Sequence, residues 1–179
     1  LHNYPTFKQN KLKLQDLLNY TENIGKENIN NKKAFIYGFF YGDGSCGKYD
    51  CNHGVKYSWA LNNNDIELCT TLQSLLMEIY GSSFKILDTI QSSGVYKIVP
   101  NNGSIKNYVN EYRSVFYNKD KLKIIPNLIL NSDYDSKYAF LCGYYAADGY
   151  KCNNSLSKNI ILTNKGKIGS SMLYYLVSS

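Results

Sequence analysis

The sequence predicts an α+β fold in which one helix-and-sheet unit is written twice, the second time incompletely, and three observations carry that prediction. The nine-residue frame IYGFFYGDG at positions 36–44 returns as LCGYYAADG at positions 141–149. The match continues downstream, where WALNNNDIELCTTLQSLL lies over IILTNKGKIGSSMLYYLV with Leu72 on Leu173 and Leu75 on Leu176. Between the two frames the apolar spacing switches from helical to alternating and back. The resulting order of helix, hairpin, helix, hairpin, helix suits one antiparallel sheet with helices on one face. A repeat on this scale is read before any single element, because it decides the architecture.

Residues 1–30 hold KLKLQDLLNY, a weakly amphipathic run that predicts a short helix, and then the polar TENIGKENINNKK, read as a linker. The first unit covers residues 31–135. Its apolar stretch from Lys33 to Tyr41 predicts a buried helix closed by Gly42-Asp43-Gly44. YDCNHGVKYSWALNN then reads as a hairpin turning at Asn52 to Gly54, with Val55, Tyr57, Trp59 and Leu61 inward and Lys56 and Ser58 outward. DIELCTTLQSLLMEIYG follows as a helix with Asp65 as N-cap and Gly81 as stop. FKILDTI and GVYKIVP make a second hairpin, SIKNYVNEYRSVFYN a third helix, and KLKIIPNLILN a connector with a helical turn after Pro126. The second unit, residues 136–179, repeats the buried helix, the first hairpin and the next helix, with no counterpart of the second hairpin. An incomplete second sheet leaves an edge that favours self-association.

Composition narrows the function. The chain has 179 residues, 44% of them hydrophobic, a formal charge of +6 and 18 tyrosines, a balance that suits a polyanionic partner on a packed scaffold. No apolar run is long enough to cross a bilayer and the start lacks a secretory signal, so a soluble intracellular protein with no membrane partner is expected. Five cysteines, an odd number, argue against a disulfide framework. Cys46, Cys51 and His53 lie close together, but they lack a fourth ligand and the usual spacing, which favours free thiols over a zinc site.

The repeated frame carries the chemistry. At helical spacing Phe35, Gly38 and Gly42 share one face, and Gly143 and Ala147 hold the same places in the second copy. Two small-residue stripes let two helix backbones cross closely, which predicts a helix-packing seam of Gly38, Gly42, Gly143 and Ala147 on a pseudo-twofold axis. That crossing brings Asp43 and Asp148 together at the negative ends of two helices, an arrangement unfavourable for stability alone. A bound divalent cation resolves the conflict, and hard oxygen ligands open to phosphates favour Mg²⁺, with Mn²⁺ as an alternative. A lone Gly-Asp-Gly is ordinarily a turn; two in one frame point to two strands to cut.

At these residues the chain resembles a known family. IYGFFYGDG and LCGYYAADG are similar to the paired signature helices of single-chain LAGLIDADG homing endonucleases, and VYKIVP and KIIPNLIL are similar to the endonuclease domain of inteins in DNA polymerases of large DNA viruses. The resemblance, which runs from about Asn30 to the end, implies two αββαββα units whose sheets form a saddle on double-stranded DNA. It also implies Mg²⁺-dependent double-strand cleavage. Asp43 and Asp148 fall on the acidic catalytic positions, with Gly42 and Ala147 beside them in the metal site. Lys165 falls where the family places a water-orienting lysine, but the first unit has Asn64 there, beside Asn62 and Asn63, so the two strands are expected to be cut unequally. Gln73 is a polar substitute.

Lys48, Lys56, Ser58, Lys85, Lys97, Lys151 and Lys158 are the candidates for DNA contact, each also readable as a solvated surface group. The run Lys119, Lys121, Lys123 is either a phosphate cradle or an ordinary lysine-rich loop. The chain neither begins with a splicing nucleophile nor ends in His-Asn, so the expectation is the endonuclease portion of a larger host polypeptide. It would be virus-encoded and active in the cytoplasm or nucleus of a host cell. Two rivals stand beside that reading: a catalytically impaired DNA- or RNA-binding module on the same scaffold, and an insertion that only helps its host fold.

Overall fold

Two long helices that are apolar around most of their circumference must be buried on most sides, and the molecule is arranged around them. The computed structural model describes residues 13–101, 103–149, 162, 164 and 166–179. In chain order the elements are α1 (Leu14–Asn23), a 3₁₀ turn (Ile24–Lys26), α2 (Ile29–Asp43), β1 (Gly44–Cys51), β2 (Gly54–Asn63) and α3 (Ile66–Tyr80). There follow β3 (Phe84–Thr89), α4 (Ile90–Ser93), β4 (Val95–Pro100), α5 (Ile105–Phe116), α6 (Asn127–Leu130), α7 (Tyr134–Asp148) and α8 (Lys167–Ser178). The strands form one antiparallel sheet in the order β1-β2-β4-β3.

The caps account for where the helices begin. Asn28 accepts from the Asn31 amide at the start of α2, and Asp133 accepts from the Ser136 amide at the start of α7, the same device in both copies of the repeat. Asp65 caps α3 through the amides of Glu67 and Leu68, and Gly81 ends it in the left-handed conformation at φ 59°. Each such cap stabilises its helix by about 1 kcal/mol.

The stretch read as a linker is folded. Asn28 starts α2 ahead of Lys33, Ile24 is fully buried, and Lys32 is buried with its ammonium 2.7 Å from Glu78 of α3. Polar composition misleads here because Asn31 and Lys32 are satisfied by Glu27 and Glu78. α1 lies against α7, where Tyr20 meets Tyr138 edge-on at 5.3 Å.

One face of the sheet covers an aromatic core. Trp59 of β2 stacks on Phe40 of α2 and meets Phe84, Tyr108 and Tyr112, all buried. Val55, expected inward, is 46% exposed because it stands at the hairpin tip beyond the helices. The second hairpin closes through the one-turn helix α4 rather than a simple loop.

The contact between α2 and α7 rests on glycine. A Cβ on Gly38 would collide with the backbone carbonyl of Phe140, and one on Gly143 with the carbonyl of Phe35. A Cβ on Gly42 would come within 2.7 Å of the Ala147 Cβ. The two backbones therefore touch, and a side chain at any of these points forces them apart.

Candidate active site

The crossing determines where the two helices end. Asp43 and Asp148 are the last residues of α2 and α7, and a Cβ on Gly42 would sit 3.2 Å from the Asp148 Cβ. Neither helix ends in a left-handed residue. Gly44 (φ −76°, ψ 150°) and Gly149 (φ −68°, ψ 130°) are extended, and a Cβ there would strike Phe40 or Tyr145 of the preceding turn.

Charge at this edge is managed unequally. Burial, the nearby Asp148 carboxylate and, in opposition, Lys123 set the Asp43 carboxyl, which is pushed up to about 6. Asp148 is exposed. The ends of α2 carry carbonyls with no intrahelical donor, and one lysine from the loop after α5 meets them. Lys123 Nζ donates to the carbonyls of Phe40 (2.8 Å), Tyr41 (3.1 Å), Gly42 (3.1 Å) and Gly44 (2.7 Å). Burial pulls that ammonium down to about 8, with Asp43, Asp148 and Cys46 acting in the other direction, so it stays mostly charged at neutral pH. The carbonyl of Gly42, a residue that the resemblance places in the metal site, thus already accepts a hydrogen bond.

Around the carboxylates the walls are polar and aromatic. Asn62 Nδ2 donates to the Asp43 carbonyl at 2.6 Å, and Asn164 donates to the Tyr41 hydroxyl. An open cavity of about 540 Å³ is lined by Tyr41, Gly42, Lys121, Lys123, Tyr144 and Asp148, among others. Among the described residues no three His, Cys, Asp or Glu side chains gather as a metal cage. Two carboxylates with room for water and phosphate oxygens suit Mg²⁺ or Mn²⁺, which keep several water ligands, and do not suit a zinc tetrahedron.

The sheet sorts the surface candidates. Residues paired across antiparallel strands share a face, and Lys56, Ser58 and Lys97 fall on the face opposite Trp59 and Ile98, as does Lys85. Lys48 is paired with Tyr57 and belongs to the helix-side face, which removes it from that set. Gln73 donates to the Phe84 carbonyl at 2.7 Å, tying α3 to β3 away from the carboxylates. Cys46 Sγ donates to the Val109 carbonyl, while Cys51 is exposed at the hairpin tip. Lys151, Lys158 and Lys165 lie outside the described residues.

Lys123 is the group that sequence reasoning placed only as one of a lysine run. Its signal is the apolar LKII in which it stands, an unusual setting for a solvated lysine.

No protein-family profile matches the chain. Solved structures of the homing endonuclease I-DmoI do match. One in complex with its target DNA nicked in the coding strand, in the presence of Mn, has TM-score 0.58 and 16% identity over 84% of this chain and 75% of that one. A substituted I-DmoI with target DNA and Mn gives 0.56 and 18% over 84% and 74%, and mesophilic variants give 0.51 and 17% over 70% and 65%. The fold is that of the LAGLIDADG homing endonucleases. A DNA polymerase of Acanthamoeba polyphaga mimivirus is 47% identical over 153 residues, 86% of this chain. The chain spans only 9% of the length of that polymerase. Among the described residues no helix is long and apolar enough to cross a membrane.

Proposed function

We propose that this chain is a site-specific DNA endonuclease domain carried within a DNA polymerase polypeptide as part of an intein, and that it makes a metal-dependent double-strand break. The observation that carries the reading is the delivery of Asp43 and Asp148 to one edge of the molecule by a seam that admits no side chain at Gly38 or Gly143. Support comes also from the fold shared with I-DmoI, described with target DNA and Mn, and from the polymerase relative of which the matching segment is a small part.

The residues act as follows. Lys56, Ser58, Lys85 and Lys97 face the duplex from the sheet, where lysines hold phosphates and set the register. Asp43 and Asp148 hold the divalent cation, and Gly42 and Ala147 give the closeness that lets both carboxylates reach it. When bound, Mg²⁺ or Mn²⁺ lowers the pKa of a ligated water and neutralises charge on the phosphate oxygens. Lys123 holds the end of α2 rigid and offsets the charge of Asp43, so this carboxylate is kept in place against the scissile phosphate. Lys165 is the candidate for orienting water in the second half.

Plasmid cleavage tests the reading. Supercoiled DNA carrying the polymerase-gene junction, with the matching segment removed, should become linear with Mg²⁺ and parent protein. Asp43→Asn and Asp148→Asn should each abolish the linear product. A recognition module is the second reading, favoured by the neutral Asn64 at the place where the resemblance leads one to expect a lysine. It predicts a gel shift on the same DNA with no nicking by the parent chain, an outcome that would discard the endonuclease.

A further inference from the structure

Lys121 has a backbone that lysine rarely adopts. Its φ is 61°, and it is the single non-glycine residue with positive φ among the described residues. The turn around it is tightly specified. Asn118 Oδ1 accepts from the amides of Asp120 and Leu122, the Asn118 carbonyl accepts from the Lys121 amide, and the Asn118 amide donates to the Leu122 carbonyl. Tyr117 and Lys123 close the turn as a β-bridge. Glycine or asparagine would meet this geometry with less strain, so the turn alone does not call for lysine, and strained positions concentrate where a side chain must be aimed.

The turn lies between the two units. On one side Lys123 is spent on the carbonyls ending α2. On the other, Leu122 reaches the start of α8, where a Cβ on Gly166 would meet it at 3.4 Å. Lys121 lines the open cavity together with Asp148, Tyr144 and Asn164, and Asp43 is not among the lining residues. Among the described residues, which do not include Lys151, Lys158 or Lys165, no amine donates to the last carbonyls of α7.

We propose that Lys121 is the phosphate-contacting cation of the second half-site, built on Asp148, so that one turn of the first unit equips both cutting centres. Lys123 works on the buried side of the turn and Lys121 on the open side. This rests on the endonuclease reading above.

The test is strand-resolved. A duplex reproducing the junction DNA, labelled separately on each strand, is cut with Mg²⁺ by the parent, Lys121→Gly, Lys121→Asn and Lys121→Arg. The strand whose cutting is more sensitive to Asp148→Asn than to Asp43→Asn should be cut about a hundredfold more slowly by the Gly and Asn variants, the other strand far less, so that nicked product accumulates. Arg should recover part of the loss. In metal-free gel shifts the slope of log affinity against log salt should fall by about one for Gly and Asn, as for one lost phosphate contact. Melting temperatures of the Gly and Asn variants should not fall below the parent's. Equal slowing of both strands, an unchanged strand ratio, or a defect in Gly that Asn cures would overturn the assignment. Failure of the parent to cut either strand would instead remove the endonuclease reading, and this role with it.

Discussion

The ends of α2 and α7 come from the same repeated frame and finish differently. α2 runs into a lysine that closes four carbonyls and a half-buried aspartate pushed up to about 6; α7 runs into an exposed aspartate at the mouth of a cavity. The seam between the helices is nearly symmetric, since Gly38 meets the Phe140 carbonyl and Gly143 the Phe35 carbonyl. Symmetry thus belongs to the packing that positions the carboxylates, and asymmetry to the electrostatics around them. Packing must match on both sides because each backbone is the other's neighbour. Charge has no such constraint.

The comparison breaks most completely at the seam. Gly38→Ala or Gly143→Ala should cost at least about 3 kcal/mol in urea unfolding, since backbone carbonyl cannot move aside as a side chain can. Gly25→Ala, where a Cβ meets nothing, should stay within about 0.5 kcal/mol. A Gly38 variant as stable as the Gly25 variant would refute the close crossing. Next in size, Lys123→Met should cost about 2 kcal/mol, because buried carbonyls at the end of α2 lose their donor, and it should slow cleavage as well.

Titration sharpens the contrast. Asp43 has a folded pKa above its ordinary 3.8, so the folded state holds the proton more tightly, and stability falls as pH rises from about 4 through about 6. Asp43→Asn should therefore stabilise the metal-free protein at pH 7 by about 1–2 kcal/mol, allowing for solvent screening of the half-exposed group. Below about pH 4 the gain should vanish. Asp148→Asn, at an exposed position, should gain less at pH 7, and equal gains in thermal melts would erase the distinction. The smallest effect is a cation-induced one: saturating Mg²⁺ should raise stability by about 1 kcal/mol in the parent and not in either Asn variant, as read by thermal shift.

Much of this was legible from residues alone. Element order, both hairpins, the Asp65 and Gly81 caps and the α+β class follow from local patterns, and each is a local decision. Lys123 was not, because its partners are some eighty positions earlier and only tertiary folding brings them together. Lys48 stands on the helix-side face of the sheet, apart from the other strand lysines, and that placement was countable in advance: a two-residue turn at Asn52 and His53 pairs Cys51 with Gly54 and, counting outward, Lys48 with Tyr57. The linker reading failed for a physical reason: polar residues such as Lys32 can be buried when a partner such as Glu78 awaits them.

One junction has a mechanical consequence. α2 ends at Asp43 and β1 begins at Gly44, with no intervening loop, and the Asn62 side chain bridges from β2 back to the Asp43 carbonyl. Sheet and carboxylate are thus a single lever. Under the proposed function, a duplex seated on the outer strand face would pass its tilt to the carboxylate without slack, and a poorly fitting sequence that rocked the sheet would also swing the carboxylate off its phosphate. Fidelity in such a molecule is read as an angle before it is read as an affinity.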